Sequence, residues 1–123
     1  VRGVVVRGDG RGRQLGYPTA NLATAAGVAL PAVGIYAGWF GWAAGRRAPA
    51  AVSIGYRPTF PSDTPPLVLE AHLLDFDGDL YGEGAGVGFV ARLRDEVAFA
   101  GVDALLDQMA DDVAVTRAVL TVP

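Results

Sequence analysis

The amino-acid sequence predicts a mainly β fold, an antiparallel barrel with one α-helix at its C-terminal end. Three observations carry the expectation. Seventeen glycines and eight prolines cut the chain into short runs rich in Val, Ile, Leu, Tyr, Phe and Trp, the pattern of strands bounded by turns. No helical period lies between those runs, which disfavours a parallel sheet and its crossover helices. Only near the C-terminus does the hydrophobic period become that of a helix.

The first strand is expected over residues 1–7, and the second, GIYAGWFGW, over 34–42. A short third follows at 51–54, and LVLEAHLL at 67–74 is the fourth. Leu80 and Tyr81 make a brief fifth, and 87–93 the sixth. Asp77-Gly78 signals a hairpin between the fourth and fifth, because that dipeptide tolerates the positive φ of a type I′ turn. AAGRRAP at 43–49 reads as an exposed hairpin loop. The helix is expected over 102–120, with Val102, Leu105, Leu106, Met109, Val113 and Leu120 recurring at helical spacing. Asp103 falls in its first turn and Arg117 in its last, where each complements the helix dipole. One domain suffices for 123 residues: a barrel to about residue 99, then the helix.

Composition excludes several chemistries. Cysteine is absent, so there is neither a disulfide framework nor a thiolate metal site. All ten basic residues are arginine, which rules out a lysine nucleophile, a Schiff base and a P-loop lysine. A net charge of −3 argues against nucleic acid as a partner. No apolar run is long enough to span a bilayer, and no signal-peptide pattern precedes the first strand. A cytoplasmic protein is the expectation. The chain starts at Val1 rather than methionine, as a segment of a longer polypeptide would.

Three stretches carry chemistry. Gly8, Gly10, Gly12 and Gly16 form a glycine loop that is neither a dinucleotide fingerprint nor a P-loop. Its backbone N–H groups can still approach an anion closely, and Arg11 and Arg13 can add charge-assisted bonds to phosphate. A surface loop is the other reading. In PTAN, Thr19 and Asn21 offer two hard oxygen ligands for Mg²⁺, which keeps several waters and needs few protein donors. A simple Asn-stabilised turn explains the same residues. In the fourth strand, alternation places Val68, Glu70 and His72 on one face and Leu67, Leu69, Ala71 and Leu73 on the other. Glu70 is then either on a solvated outer face or a general base held near apolar walls. DFDGD at 75–79 fails as a calcium loop, since its glycine comes too early and residue 86 is Gly rather than Glu. His72 is the only histidine, so a multi-histidine zinc site is excluded. Neither Ser53 nor Ser62 lies in a nucleophile elbow.

Taken in order, GDGRGRQLGYPTANL, LPAVGIYAG, SIGYRPTF, LEAHLLDFDGDLYG and RLRDEVAF resemble the riboflavin kinase family over nearly the whole chain. The resemblance implies a six-stranded antiparallel Greek-key β-barrel with a terminal helix. It implies transfer of the ATP γ-phosphate to the 5′-hydroxyl of riboflavin, giving FMN and ADP with Mg²⁺. By the family motif, Thr19 and Asn21 bind the metal with the ATP phosphates. Gly8, Gly10, Arg13 and Gly16 with Thr19 contact ATP, and Glu70 is the catalytic base. Arg94 and Phe99 fall in the segment that contacts the flavin in relatives. In many bacteria such a domain follows an FMN adenylyltransferase half. Arg13 stands where some relatives have lysine, and Gly101 where relatives often have a serine N-cap. A flavin-binding barrel without catalysis and a β-barrel interaction module are the competing readings.

Overall fold

The computed structural model of the protein describes residues 1–6, 19–24, 29–43, 45–56, 67–76, 80–95 and 101–121. They form β1 (Arg2–Val6), β2 (Ala20–Thr24), β3 (Gly34–Trp42), β4 (Arg46–Tyr56), β5 (Leu67–Leu73), β6 (Gly84–Arg94) and a helix, α1 (Val102–Thr121). The strands close into a barrel in the order β1-β2-β5-β4-β3-β6, and every neighbouring pair is antiparallel. β3, β4 and β5 lie side by side in succession and β6 returns beside β3, which is a Greek-key path.

The sequence and the barrel agree on six strands but not on which six. No strand was expected between residues 7 and 34, where PTAN at 18–21 read as a turn, yet residues 20–24 form β2. Their pairing with β1 on one side and β5 on the other supplies the hydrogen bonds that local turn chemistry would otherwise take. Leu80 and Tyr81 are not a strand. Glu83 N–H donates to the Leu80 carbonyl at 2.9 Å, and Gly82 has φ 83°, so this segment is a turn. With residues 80–81 in a turn, the fourth expected strand has no fifth strand there to pair with; Asp77 and Gly78 themselves lie outside the described residues. β4 begins at Arg46 rather than Ala51, which shortens the hairpin loop to 43–45. Ala43 and Gly45, with φ of 49° and 82°, make that tight reversal.

Alternation fixes what faces inward. Val5, Leu22, Tyr36, Phe40, Trp42, Val52, Ile54, Leu69, Ala71, Leu73 and Val87 fill the barrel. Burying an aliphatic side chain such as Leu69 or Ile54 is worth about 1.5–3 kcal/mol. The Trp42 ring packs edge-on to Phe76 with centroids 5.0 Å apart, and Tyr36 does the same with Phe89 at 5.1 Å. β3 and β6 approach closely at one point: a Cβ added to Gly38 would stand 2.5 Å from the Gly88 carbonyl oxygen.

α1 lies against the outer faces of β3, β4 and β6. Gly101 precedes it and accepts from Leu105 N–H at 3.2 Å. Leu105, Leu106, Met109, Val113 and Leu120 are half-buried, as the periodicity predicts. The deepest positions of the seam are polar instead: Asp112 and the fully buried Thr116. Arg117 is not in the last turn, which holds no basic residue. Its guanidinium grips the Asp75 carboxylate just after β5, one contact measuring 2.7 Å. That grip holds the Asp75 carboxyl below its ordinary pKa.

Candidate active site

The strand registers build the site. Asn21 on β2 is directly opposite Glu70 on β5. Their neighbours Leu22 and Leu69 are in the core, so both polar side chains point outward from the barrel. The inward Leu22–Leu69 pair and buried Ala71 lock this register, since a one-residue slip would turn the apolar set to solvent. Of the two sequence readings of Glu70, the structure favours the outward face, with the side chain half-buried opposite the Asn21 carboxamide. Thr19 immediately precedes β2, two residues from Asn21, which is the spacing of one strand face.

The row through Glu70 can be followed across all six strands. Val6 pairs with Asn21, Asn21 with Glu70, Glu70 with Ser53, Ser53 with Ile35 and Ile35 with Arg94. The Val6–Ser53 part carries the polar patch. The Ile35–Arg94 part lies where α1 packs, and Ile35 is buried there. Arg94 therefore stands three strands from Glu70, roughly 14 Å around the barrel at ordinary strand spacing.

Arg94 binds Asp112 with both ends of its fork, Nε to Oδ1 at 2.9 Å and Nη2 to Oδ2 at 2.8 Å. Its Nη1 donates to the Asp95 carbonyl at 2.9 Å, and Gln108 adds a 3.1 Å bond to the Asp112 carboxylate. The pair ties the end of β6 to the middle of α1. Arg92 makes a parallel, more exposed set with the Val33 carbonyl at 2.9 Å and with Asp95 at 2.7 Å.

The structure describes Thr19, Asn21, Glu70 and Arg94; Asn21 and Glu70 are paired directly, and Thr19 immediately precedes β2. Gly8, Gly10, Arg13, Gly16 and Phe99 lie outside the described residues. Sequence reasoning missed Ser53 beside Glu70 and Asp112 beneath Arg94. The alternation of Val52, Ser53 and Ile54 contains the first of these signals. Nothing local marks Asp112, whose partner lies on another element. A separate groove, bordered by Arg2, Trp39, Arg46 and Arg47, sits at the other end of β3 and touches none of the site residues. No group of three His, Asp or Glu suited to a metal occurs among the described residues. A magnesium ion would instead find a hydroxyl and a carboxamide oxygen, hard donors that it accepts alongside phosphate.

A riboflavin kinase (Flavokinase) family model matches residues 1–120. The human riboflavin kinase is 37% identical over 127 residues, covering 99% of this chain and 81% of its own length. A bifunctional riboflavin kinase/FMN adenylyltransferase of Listeria monocytogenes is 38% identical over 117 residues, 95% of this chain but 37% of that protein. The chain thus spans little more than a third of the bifunctional relatives. Among solved structures, riboflavin kinase from Trypanosoma brucei superposes with a TM-score of 0.68 at 28% identity, covering 99% of this chain and 79% of that one. A Streptococcus pneumoniae chain described as a macrolide-efflux protein gives 0.85 at 40% identity, covering 94% of this chain and 37% of that one. That description names no kinase, so this likeness supports the barrel rather than the chemistry. With a family model matched over residues 1–120 and a human riboflavin kinase 37% identical over nearly the whole chain, this chain belongs to the riboflavin kinase family.

Proposed function

We propose that the chain catalyses transfer of the ATP γ-phosphate to the ribityl 5′-hydroxyl of riboflavin, forming FMN and ADP. The observation that carries the reading is the register pairing of Asn21 with Glu70, with Thr19 at the entry to the same strand. Phosphoryl transfer asks a protein for positioning and charge neutralisation more than for covalent chemistry. Glu70 is assigned the 5′-hydroxyl: its carboxylate orients the oxygen and accepts the proton as the O–P bond forms and ADP departs. Thr19 and Asn21 are assigned to a Mg²⁺ ion, which when bound neutralises charge on the phosphate oxygens. Gly8, Gly10, Arg13 and Gly16 are assigned to ATP, and Arg94 and Phe99 to the flavin.

The whole chain is read as one kinase domain, with the barrel over about residues 1–99 and the helix over 102–120. A preceding adenylyltransferase half and a cytoplasmic setting belong to the same proposal. No described helix is long and apolar enough to cross a membrane. The test is incubation with riboflavin and Mg²⁺-ATP followed by chromatography of the flavins. FMN is expected. Glu70→Gln should lower turnover about 10²–10⁴-fold, the usual worth of a general base. Flavin binding without FMN in the unaltered chain would instead support a non-catalytic barrel.

A further inference from the structure

His72 is the only histidine, and the reaction as assigned above does not use it. It lies on β5 two residues beyond Glu70, so the two share the outward face while Leu69, Ala71 and Leu73 point inward. On β4 the positions opposite them are small: Ala51 faces His72 and Ser53 faces Glu70. On β2 the pairing runs Leu22–Leu69, Asn21–Glu70, Ala20–Ala71. One residue further along each chain stand Thr19 and His72. Asn21 and Glu70 are thus paired across β2 and β5, with Thr19 at the entry to β2 and His72 next on the same face of β5. Neighbouring positions are about 5 Å apart across strands and about 7 Å along them.

The chemistry of the four is unequal. A carboxylate repels phosphate oxygens, and the oxygens of Thr19 and Asn21 suit a cation. The imidazole can supply a ring N–H from the strand position next to Thr19. We propose that His72 is a nucleotide-contacting residue that donates an N–H to a phosphate oxygen beside Thr19, while Glu70 serves the acceptor hydroxyl beside Asn21. The patch then has a phosphate half and an alcohol half. The inference rests on the kinase reading, and it adds a residue to the nucleotide side.

The test is binding without turnover. MgADP affinity is measured by calorimetry and riboflavin affinity by fluorescence quenching, for the unaltered chain, His72→Ala and His72→Asn. His72→Ala is expected to weaken MgADP about tenfold or more, the worth of a hydrogen bond to a charged group. Riboflavin affinity and Tm should stay unchanged. His72→Asn, which keeps an N–H donor near the ring Nδ1, should recover much of the loss. MgADP affinity within twofold of the unaltered chain in folded His72→Ala overturns the proposal. So does equal weakening of both ligands with a fall in Tm, which marks a structural role. Absence of FMN production by the unaltered chain is a separate result that removes the kinase reading itself.

Discussion

Replacing Asp112 by Ala tests how α1 is held on the barrel. The substitution removes a two-point ion pair at 2.9 and 2.8 Å and a 3.1 Å bond from Gln108. It also removes the Asp112 carboxylate from beside the Arg94 guanidinium, which is only 21% exposed. Breaking a fully buried pair costs about 3–5 kcal/mol, most of it the penalty of stranding the remaining charge. Exposed pairs are worth under about 1 kcal/mol. With exposures of 21% and 12% for the two side chains, the cost should lie between, at about 2–3 kcal/mol. For a domain of this size each kcal/mol moves Tm by roughly 4 °C, so a fall of roughly 8–12 °C is expected by scanning calorimetry. The double variant Arg94→Ala/Asp112→Ala should recover part of the loss, because no charge is then stranded. A Tm within 2 °C of the parent, or a double variant no better than the sum of the singles, would refute the clamp.

Other expectations follow from single contacts. Thr116 is fully buried, and its hydroxyl has no hydrogen-bond partner among the described residues; Thr116→Val should therefore hold or raise Tm, since it removes an unsatisfied polar atom at nearly constant shape. Arg117 holds the Asp75 carboxyl below its usual pKa chiefly by hydrogen bonding, so this contact stabilises above the ordinary carboxylate range and is lost as pH falls through the lowered value. Arg117→Ala should accordingly cost a little Tm at pH 7 and nothing in acid; a gap that persists when Asp75 is protonated would contradict the linkage. Gly38→Ala forces a methyl to 2.5 Å from the Gly88 carbonyl and should lower stability by about 1–3 kcal/mol in urea titration. Asn21→Ala should raise the Mg²⁺ concentration needed for half-maximal turnover without a matching fall in Tm, and an unchanged Mg²⁺ requirement would detach Asn21 from the metal.

Much of this was legible because period-2 alternation survives wherever a strand has a full apolar face. GIYAGWFGW gave β3 with its observed ends, and the alternation in LVLEAHLL set Glu70 with His72 opposite the buried Leu69, Ala71 and Leu73. β2 was hidden because ANLAT holds one large apolar residue, and because Pro18 and Asn21 are strong turn residues. Its strand character comes from β1 and β5 on either side, which are distant in sequence. β4 was cut short by Pro49, which reads as a strand breaker. The structure seats it opposite Trp39, where its carbonyl accepts from Leu74 N–H at 2.8 Å. The helix was found from its apolar period, but the period could not show that Asp112 and Thr116 occupy the deepest positions. Those are decided by Arg94 and by the sheet that α1 covers.

The Asn21–Glu70 pairing has a consequence for how the chain assembles. β2 belongs to the early part of the sequence and β5 to the later part, and they meet only at one seam of the closed barrel. Closing a long loop is a slow step in folding. A ligand that needs both residues can bind no open intermediate, so its binding energy is added only to the finished ring. Nucleotide and flavin would then act as a late-acting clasp, raising the barrier to reopening this seam more than that of the β3–β4 hairpin, whose strands join through a short turn.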